Sequence, residues 1–349
     1  MATIGNSVLT LADMLKGRKG DGSFDSEIVD LVVQENPMLD DVPFVEANDG
    51  TAHRTTIRTG IPKPTWVGFY EGVQPVKGSK AQVKDVCGKM KAKLEIDADL
   101  YDNGPATQKA QVIADELGGI AEGMNQEMAE ALIYGKLADE PRAFNGLMKY
   151  YATIGANGAN AANYDRNDAA HYVFDGAKAT SPSTSACRSI LLVGWSPRTI
   201  TGFYPQGAKS AGLERGEFKK VDVTDSKGGT YEAYRQYLTW TMGLSVKDFR
   251  YGGRIANIES DHMLDASGQP DYIELVSRLV TRVKNGGTVR RALYMAPLVW
   301  EYLQTLFYRK TMGNAVKYAD LEQRKAVPTL FGIPVRVCDA METNEAVVS

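Results

Sequence analysis

From Lys89 to Asp97 the chain alternates without a fault. Lys89, Lys91, Lys93, Glu95 and Asp97 hold the odd positions, and Met90, Ala92, Leu94 and Ile96 the even ones. Strand side chains point to opposite faces with a period of two, so this segment is a β-strand with one wet face and one covered face. Such a strand is marginal alone and needs both a partner along its edge and a layer over its even residues. Thr55-Thr-Ile-Arg-Thr59, β-branched and bounded by Gly60 and Pro62, is the nearest partner. Pairing the two predicts a long hairpin with a tip of ~25 residues, a length that is usually functional rather than a tight connection.

The second strong pattern is helical. Ile113, Leu117, Ile120, Met124, Met128 and Ala131 form an apolar stripe at spacings of three and four, which predicts one long helix over residues 106–137. Gly118, Gly119 and Gly123 interrupt it, each costing ~1 kcal/mol against alanine, and predict a bend. The last hundred residues read as an α+β unit. A helix over Asp271–Val283 stops at Asn285-Gly286-Gly287, a strand follows at Arg291–Met295, Pro297 opens a second helix, and Gly332-Ile-Pro-Val-Arg-Val-Cys338 closes as a buried strand. Strand character also appears at Ser189–Trp195 and Leu244–Ile258, with a polar insertion (205–233) between them, while residues 139–185 are poorly patterned.

Residues 1–50 read as an arm. Two short helical stretches, Val8–Leu15 and Ser26–Val33, flank a glycine-rich charged loop, and Pro37 ends the second by Asn36. Helices this short need a surface to lie against.

The routes to chemistry close one by one. His53, His171 and His262 lie in separate segments without metal-ligand spacing. Cys87, Cys187 and Cys338 are too few and too far apart for a disulfide framework or a zinc site. Gly194-Trp-Ser196-Pro-Arg198 superficially matches a nucleophile elbow, but Arg198 stands where the strained turn requires glycine. There is no phosphate loop and no dinucleotide fingerprint. Asp222-Val-Thr-Asp225 lacks the alternation of a calcium loop and reads as a turn, and Tyr164–Asp168 as an ordinary polar loop. No catalytic, cofactor or metal residue is therefore expected. A net charge of −3 argues against a broad nucleic-acid-binding surface, and no apolar run reaches the ~18 residues of a membrane span. No signal-peptide pattern opens the chain, and the sparse cysteines fit a reducing compartment. A glycine content of 34 in 349 residues, a marginal arm and a long hairpin describe projections that neighbouring subunits must cover.

Thr3–Leu15, Asn36-Pro-Met-Leu-Asp-Asp41, His53-Arg-Thr-Thr-Ile-Arg-Thr-Gly60 and Gly123-Met-Asn-Gln-Glu-Met128 resemble segments of the major capsid proteins of short-tailed, epsilon-type double-stranded DNA phages. The resemblance implies an α+β, Hong Kong 97-type fold: an N-terminal arm (1–50), an E-loop hairpin (51–100), a P-domain (101–265) with its spine helix at 106–137, and an A-domain (266–349). Only fourteen residues follow Val335, too few for the strands that usually return to the P-domain there. The strands near 189–195 and 244–258 are therefore expected to supply that sheet, with rearranged connectivity.

The implied function is structural: self-assembly as hexamers and pentamers into an icosahedral head around the genome, in the virion, after assembly in the host cytoplasm. The implied partners are further copies of the chain, a portal protein at one vertex, a separate scaffold, a decoration or cementing protein, and packaged double-stranded DNA held without sequence-specific binding. No cofactor and no membrane enter. The subunit interface is expected at Lys89, Lys91 and Lys93, with Met90 and Leu94 on the opposite face needing cover from the same or an adjacent subunit. A nanocompartment shell of the same fold, encapsulin-like, would instead carry a pocket for cargo peptides, and a hydrolase would need partners for Ser196.

Overall fold

The computed structural model describes residues 33–103, 106–154, 168–177, 187–208, 210–224, 227–259, 270–309, 316–320 and 326–348. The helix expected at 8–15, the one expected at 26–33 except for Val33, the loops at 155–167 and His262 lie outside them. The strands run in chain order as β1 (Phe44–Glu46), β2 (Ala52–Gly60), β3 (Ser79–Val86), β4 (Gly88–Asp97), β5 (Val173–Asp175), β6 (Cys187–Trp195), β7 (Ile200–Tyr204), β8 (Leu213–Arg215) and β9 (Lys219–Thr224). They continue as β10 (Thr230–Val246), β11 (Gly252–Glu259), β12 (Arg290–Met295), β13 (Val316–Asp320), β14 (Ala326–Leu330) and β15 (Ile333–Val337). The longer helices are α1 (Ala106–Tyr134), α2 (Tyr272–Arg282) and α3 (Pro297–Arg309).

The alternating strand forms as expected, but its partner differs. β4 pairs antiparallel with β10, Lys93 opposite Tyr237 and Lys89 opposite Thr241. β2 pairs instead with β3, Ala52 opposite Val86, so the hairpin tip is 61–78. A period of two fixes which face a strand buries but says nothing about its neighbour, and β3 lies nearer to β2 in sequence, where loop closure costs less.

The even face of β4 is covered within the chain. Leu94 and Ile96 form a small core with Leu117 and Met124 of α1 and Leu238 of β10, and Met90, Ala92, Ile113 and Ile120 pack at its margin. The predicted helical stripe is thus the layer the strand requires. The C-terminal half of α1 enters the main core through Met128, Ala129, Leu132 and Ile133. The helix continues unbroken through Gly118, Gly119 and Gly123, where an added Cβ would meet nothing within 4 Å. Glu95 departs from the odd-face pattern. It is buried because Arg235 (2.8 Å), Lys93 (2.8 Å) and the Tyr231 hydroxyl (3.2 Å) converge on its carboxylate. Burial opposes its ionisation, yet the hydrogen bonds from Lys93 and Arg235 hold its pKa below the usual value.

Two strands expected beside the long helix belong elsewhere. β6 is apolar nearly end to end and buried along almost its whole length, so it needs cover on both faces. It finds this in the unit of the last hundred residues, antiparallel to β12 and β11, with β15 parallel to β12. The segment 244–258 is two strands, the end of β10 and β11, separated by a turn in which Asp248 accepts from the Arg250 backbone N–H. The sheet against α1 is built from β4, β8, β9 and the first part of β10, much of it drawn from the stretch that reads as a polar insertion. From Asn36 onward the expected arm is core. Met38 and Val42 are buried, β1 runs parallel to β7, and Asn36 Oδ1 accepts from the Ala340 N–H.

In the last hundred residues the expected order holds. Asp271 caps α2, accepting from the N–H groups of Ile273 (3.1 Å) and Glu274 (3.4 Å), and Ile273, Leu275, Val276 and Leu279 are buried. Asp271→Ala removes this cap and is expected to cost about 1 kcal/mol, read as a lower denaturant midpoint with an unchanged slope. The C-terminal residues are locked by a buried network. Arg254 donates to Ser189 Oγ (2.9 Å), the Tyr151 carbonyl (3.0 Å) and Glu345 Oε2 (2.7 Å). Glu345 also accepts from the Tyr134 hydroxyl (2.9 Å) and from Ser189. Asn257 holds both the Val348 N–H and its carbonyl at 2.8 Å.

Candidate functional site

The β2–β3 hairpin ends in a set of apolar side chains with nothing over them. Trp66 is 99% exposed, Phe69 97% and Tyr70 108%, with Ile61, Val73 and Val76 also in the open. The tip has its own turn, in which Glu71 Oε2 accepts the Gly68 N–H at 2.7 Å. A single exposed leucine means little, but three adjacent bare aromatics flanked by valines mark a surface meant to be covered.

The root that presents this tip is tied down. Arg54 and Asn48 exchange two hydrogen bonds (2.7 and 2.8 Å), and Asp49 pairs with Arg54 at 2.7 Å and Lys84 at 3.6 Å. His53 and Asp85 face each other across the first rungs. His53 lies against the Phe203 ring at 5.5 Å, and burial, helped by the Lys247 charge, keeps its pKa below the usual histidine value. Asp85 accepts from Ser245 Oγ (2.7 Å) and the Tyr150 hydroxyl (3.3 Å), and burial raises its pKa. A fixed base below a bare apolar tip is an arrangement for reaching another molecule.

On β4, the wet face predicted from the sequence is wet. Lys89, Lys91 and Lys93 are exposed, Met90 is half-buried, and Leu94 is inside the chain's own core. Lys93 pairs with Glu95, and Lys91 lies 4.4 Å from the centre of the Tyr237 ring. Lys89 makes no ion pair among the described residues. The aromatic tip, the more exposed of the two surfaces, was not singled out from the sequence. Its signal was there in Trp66-Val-Gly-Phe-Tyr70, an apolar cluster between prolines with no periodicity to bury it.

The enzymatic reading of Ser196 finds a turn. Ser196 Oγ accepts from the Arg198 N–H at 3.4 Å and the Ser196 carbonyl from the Thr199 N–H at 3.0 Å. No histidine or carboxylate bonds to it among the described residues, which also contain no group of three His, Cys, Asp or Glu able to hold a metal ion. No helix of the described residues is long and apolar enough to cross a membrane. Asp168 caps a short turn by accepting from the Ala170 N–H, and Asp222 sits on β9 opposite Glu232.

A family model described as major capsid protein GP7 matches residues 19–349. Among solved structures, a chain of bacteriophage epsilon15 is similar at 26% identity, with 100% of each chain covered and a TM-score of 0.71. The bacteriophage JBD30 capsid is similar at 12% identity, covering 96% of this chain and 99% of that one, with a TM-score of 0.53. No curated protein matches.

Proposed function

Because this chain belongs to the major capsid protein GP7 family, and is a structural subunit of a phage capsid with the α+β Hong Kong 97-type fold, we propose that it closes its shell through the β2–β3 hairpin. The bare aromatic tip on a fixed root carries this reading. The tip buries Trp66, Phe69 and Tyr70 against an adjacent copy, which gains about 2 kcal/mol per large apolar side chain. The chain associates with itself as hexamers and pentamers around packaged double-stranded DNA, contacted without sequence specificity, with a portal protein at one vertex and separate scaffold and decoration proteins. Assembly takes place in the host cytoplasm. Of the expected divisions, the E-loop corresponds to β2–β3, the P-domain to α1 with β4, β8, β9 and the first part of β10, and the A-domain to the sheet around β6 and β12. Negative-stain microscopy of the purified chain tests the proposal. Closed icosahedral particles are expected, and a chain that stays monomeric across salt and concentration overturns it.

The lysine face is a second contact in this proposal, with Met90 at its margin; Leu94, under α1, serves it only by holding β4 in place. Lys89→Glu, Lys91→Glu and Lys93→Glu combined should block assembly at moderate salt and leave the subunit's circular dichroism unchanged. Exposed pairs contribute ~0–1 kcal/mol each, but a reversed charge recurs at every contact of a shell. β4 lies at the edge of its sheet, so shells of normal size and yield would mean that the lysines only guard an edge against wrong pairing.

A further inference from the structure

Four cationic side chains from three elements line one concave pocket of about 810 Å³. Arg278 and Arg282 come from α2, Lys284 from the segment after it, and Arg291 from β12, with Ser277 and Thr281 between them. Among the described residues no carboxylate lines the pocket. Of its cations, Arg278 is paired with Glu274 at 2.6 Å.

A helix C-terminus favours cations in its last turn, which accounts for Arg282 and Lys284. It does not account for Arg291, which arrives from a strand. Arg291 is half-buried, it donates to the Val280 carbonyl at 3.5 Å, and burial lowers its pKa. A guanidinium withdrawn from water against a neutral oxygen is incompletely compensated, and its planar fork suits two oxygens of a phosphate. The walls are held in place without a ligand. Arg282 Nη1 donates to the His171 carbonyl at 2.8 Å and its guanidinium lies over Phe174, while the Lys284 N–H donates to the Arg250 carbonyl at 3.0 Å. The partial negative charge at the end of α2, about half an electron, is outweighed by the converging cations.

We propose that this pocket is an anion site for phosphate-class ligands, a run of two or more phosphates as found in inorganic polyphosphate or a nucleic-acid backbone. The site is sequence-independent by its chemistry, since it reads phosphates and no base edge. It does not depend on the hairpin reading, and its failure would leave that reading intact.

Isothermal titration of the full chain, as dissociated subunits in low salt, uses two probes: inorganic tripolyphosphate and a short mixed-sequence DNA duplex. The wild type is expected to bind, and Lys284→Gln with Arg291→Gln to bind at least tenfold more weakly with unchanged circular dichroism. Arg278→Gln, exposed on its helix, should weaken binding about threefold and guards against a folding defect in the double variant. If duplex is bound, the salt dependence of log K should become shallower by about two in the double variant. Binding of tripolyphosphate alone assigns the pocket to small polyphosphates, and binding of both assigns it to the nucleic-acid backbone as well. Absence of binding to either probe, or equal affinity in wild type and variants, overturns the proposal.

Discussion

Replacing Trp66, Phe69 and Tyr70 together by serine is expected to abolish shell formation while leaving the subunit's circular dichroism and thermal midpoint where they were. The subunit has nothing to lose, because all three side chains are essentially bare. The assembled state has much to lose. Burying a large apolar side chain contributes about 1.5–3 kcal/mol, so three of them amount to roughly 5–9 kcal/mol at each contact. That loss shifts a contact's equilibrium by at least a thousandfold, at about 1.4 kcal/mol per factor of ten. Gel filtration and negative-stain microscopy at matched concentration read the result directly. Normal yields of sealed particles from the triple variant would remove the hairpin tip from the assembly mechanism.

The second large effect concerns the folded subunit rather than its assembly. Glu345→Ala leaves Arg254 buried, with one of its three acceptors gone and no counter-charge. Breaking a buried pair from one side costs about 3–5 kcal/mol, enough to lower a denaturant midpoint sharply. Removing both ends together, Arg254→Met with Glu345→Leu, should recover part of the loss, because no unpaired charge then remains inside. A single variant within 1 kcal/mol of wild type would show that Ser189 and the Tyr151 carbonyl suffice for the guanidinium.

The elements that declared themselves in the sequence are those whose periodicity is enforced by their own covering layer. The alternation of Lys89–Asp97, the stripe from Ile113 to Ala131, and Asp271 at the head of its helix each report a local environment, and each is found. What the sequence withheld is partnership. The first half of β10 lies in the stretch 205–233 and just beyond, where Tyr231, Tyr234, Tyr237 and Trp240 are strand-favouring residues. Glutamate, arginine and glutamine among them mask the pattern, and Gln236 is buried nonetheless. Met38 and Val42 look like parts of a polar arm because the surfaces that bury them arrive from more than a hundred residues away. The aromatic tip shows no periodicity because nothing in its own chain covers it, and a pattern search looks for cover. The family resemblance, in contrast, rested on short segments spread along the chain and extended to nearly all of it.

β10 is one uninterrupted strand of 17 residues, a reach of ~55 Å at ~3.3 Å per residue. Its first part is laced to β4, β8 and β9, and its last four residues to β7. At the changeover, Gly243 brings the backbone so close that an added Cβ would lie 2.6 Å from the Phe203 ring and 2.8 Å from the Val86 carbonyl. The two halves of the subunit are therefore joined by a tie-rod rather than by a flexible tether. A load applied at the end carrying α1 is delivered to the strands around β7 without slack, since lengthening the rod would mean shearing a ladder of backbone hydrogen bonds. Unequal curvature from place to place in a shell must then be accommodated outside it, in the contacts that the exposed hairpin tip makes with neighbouring copies.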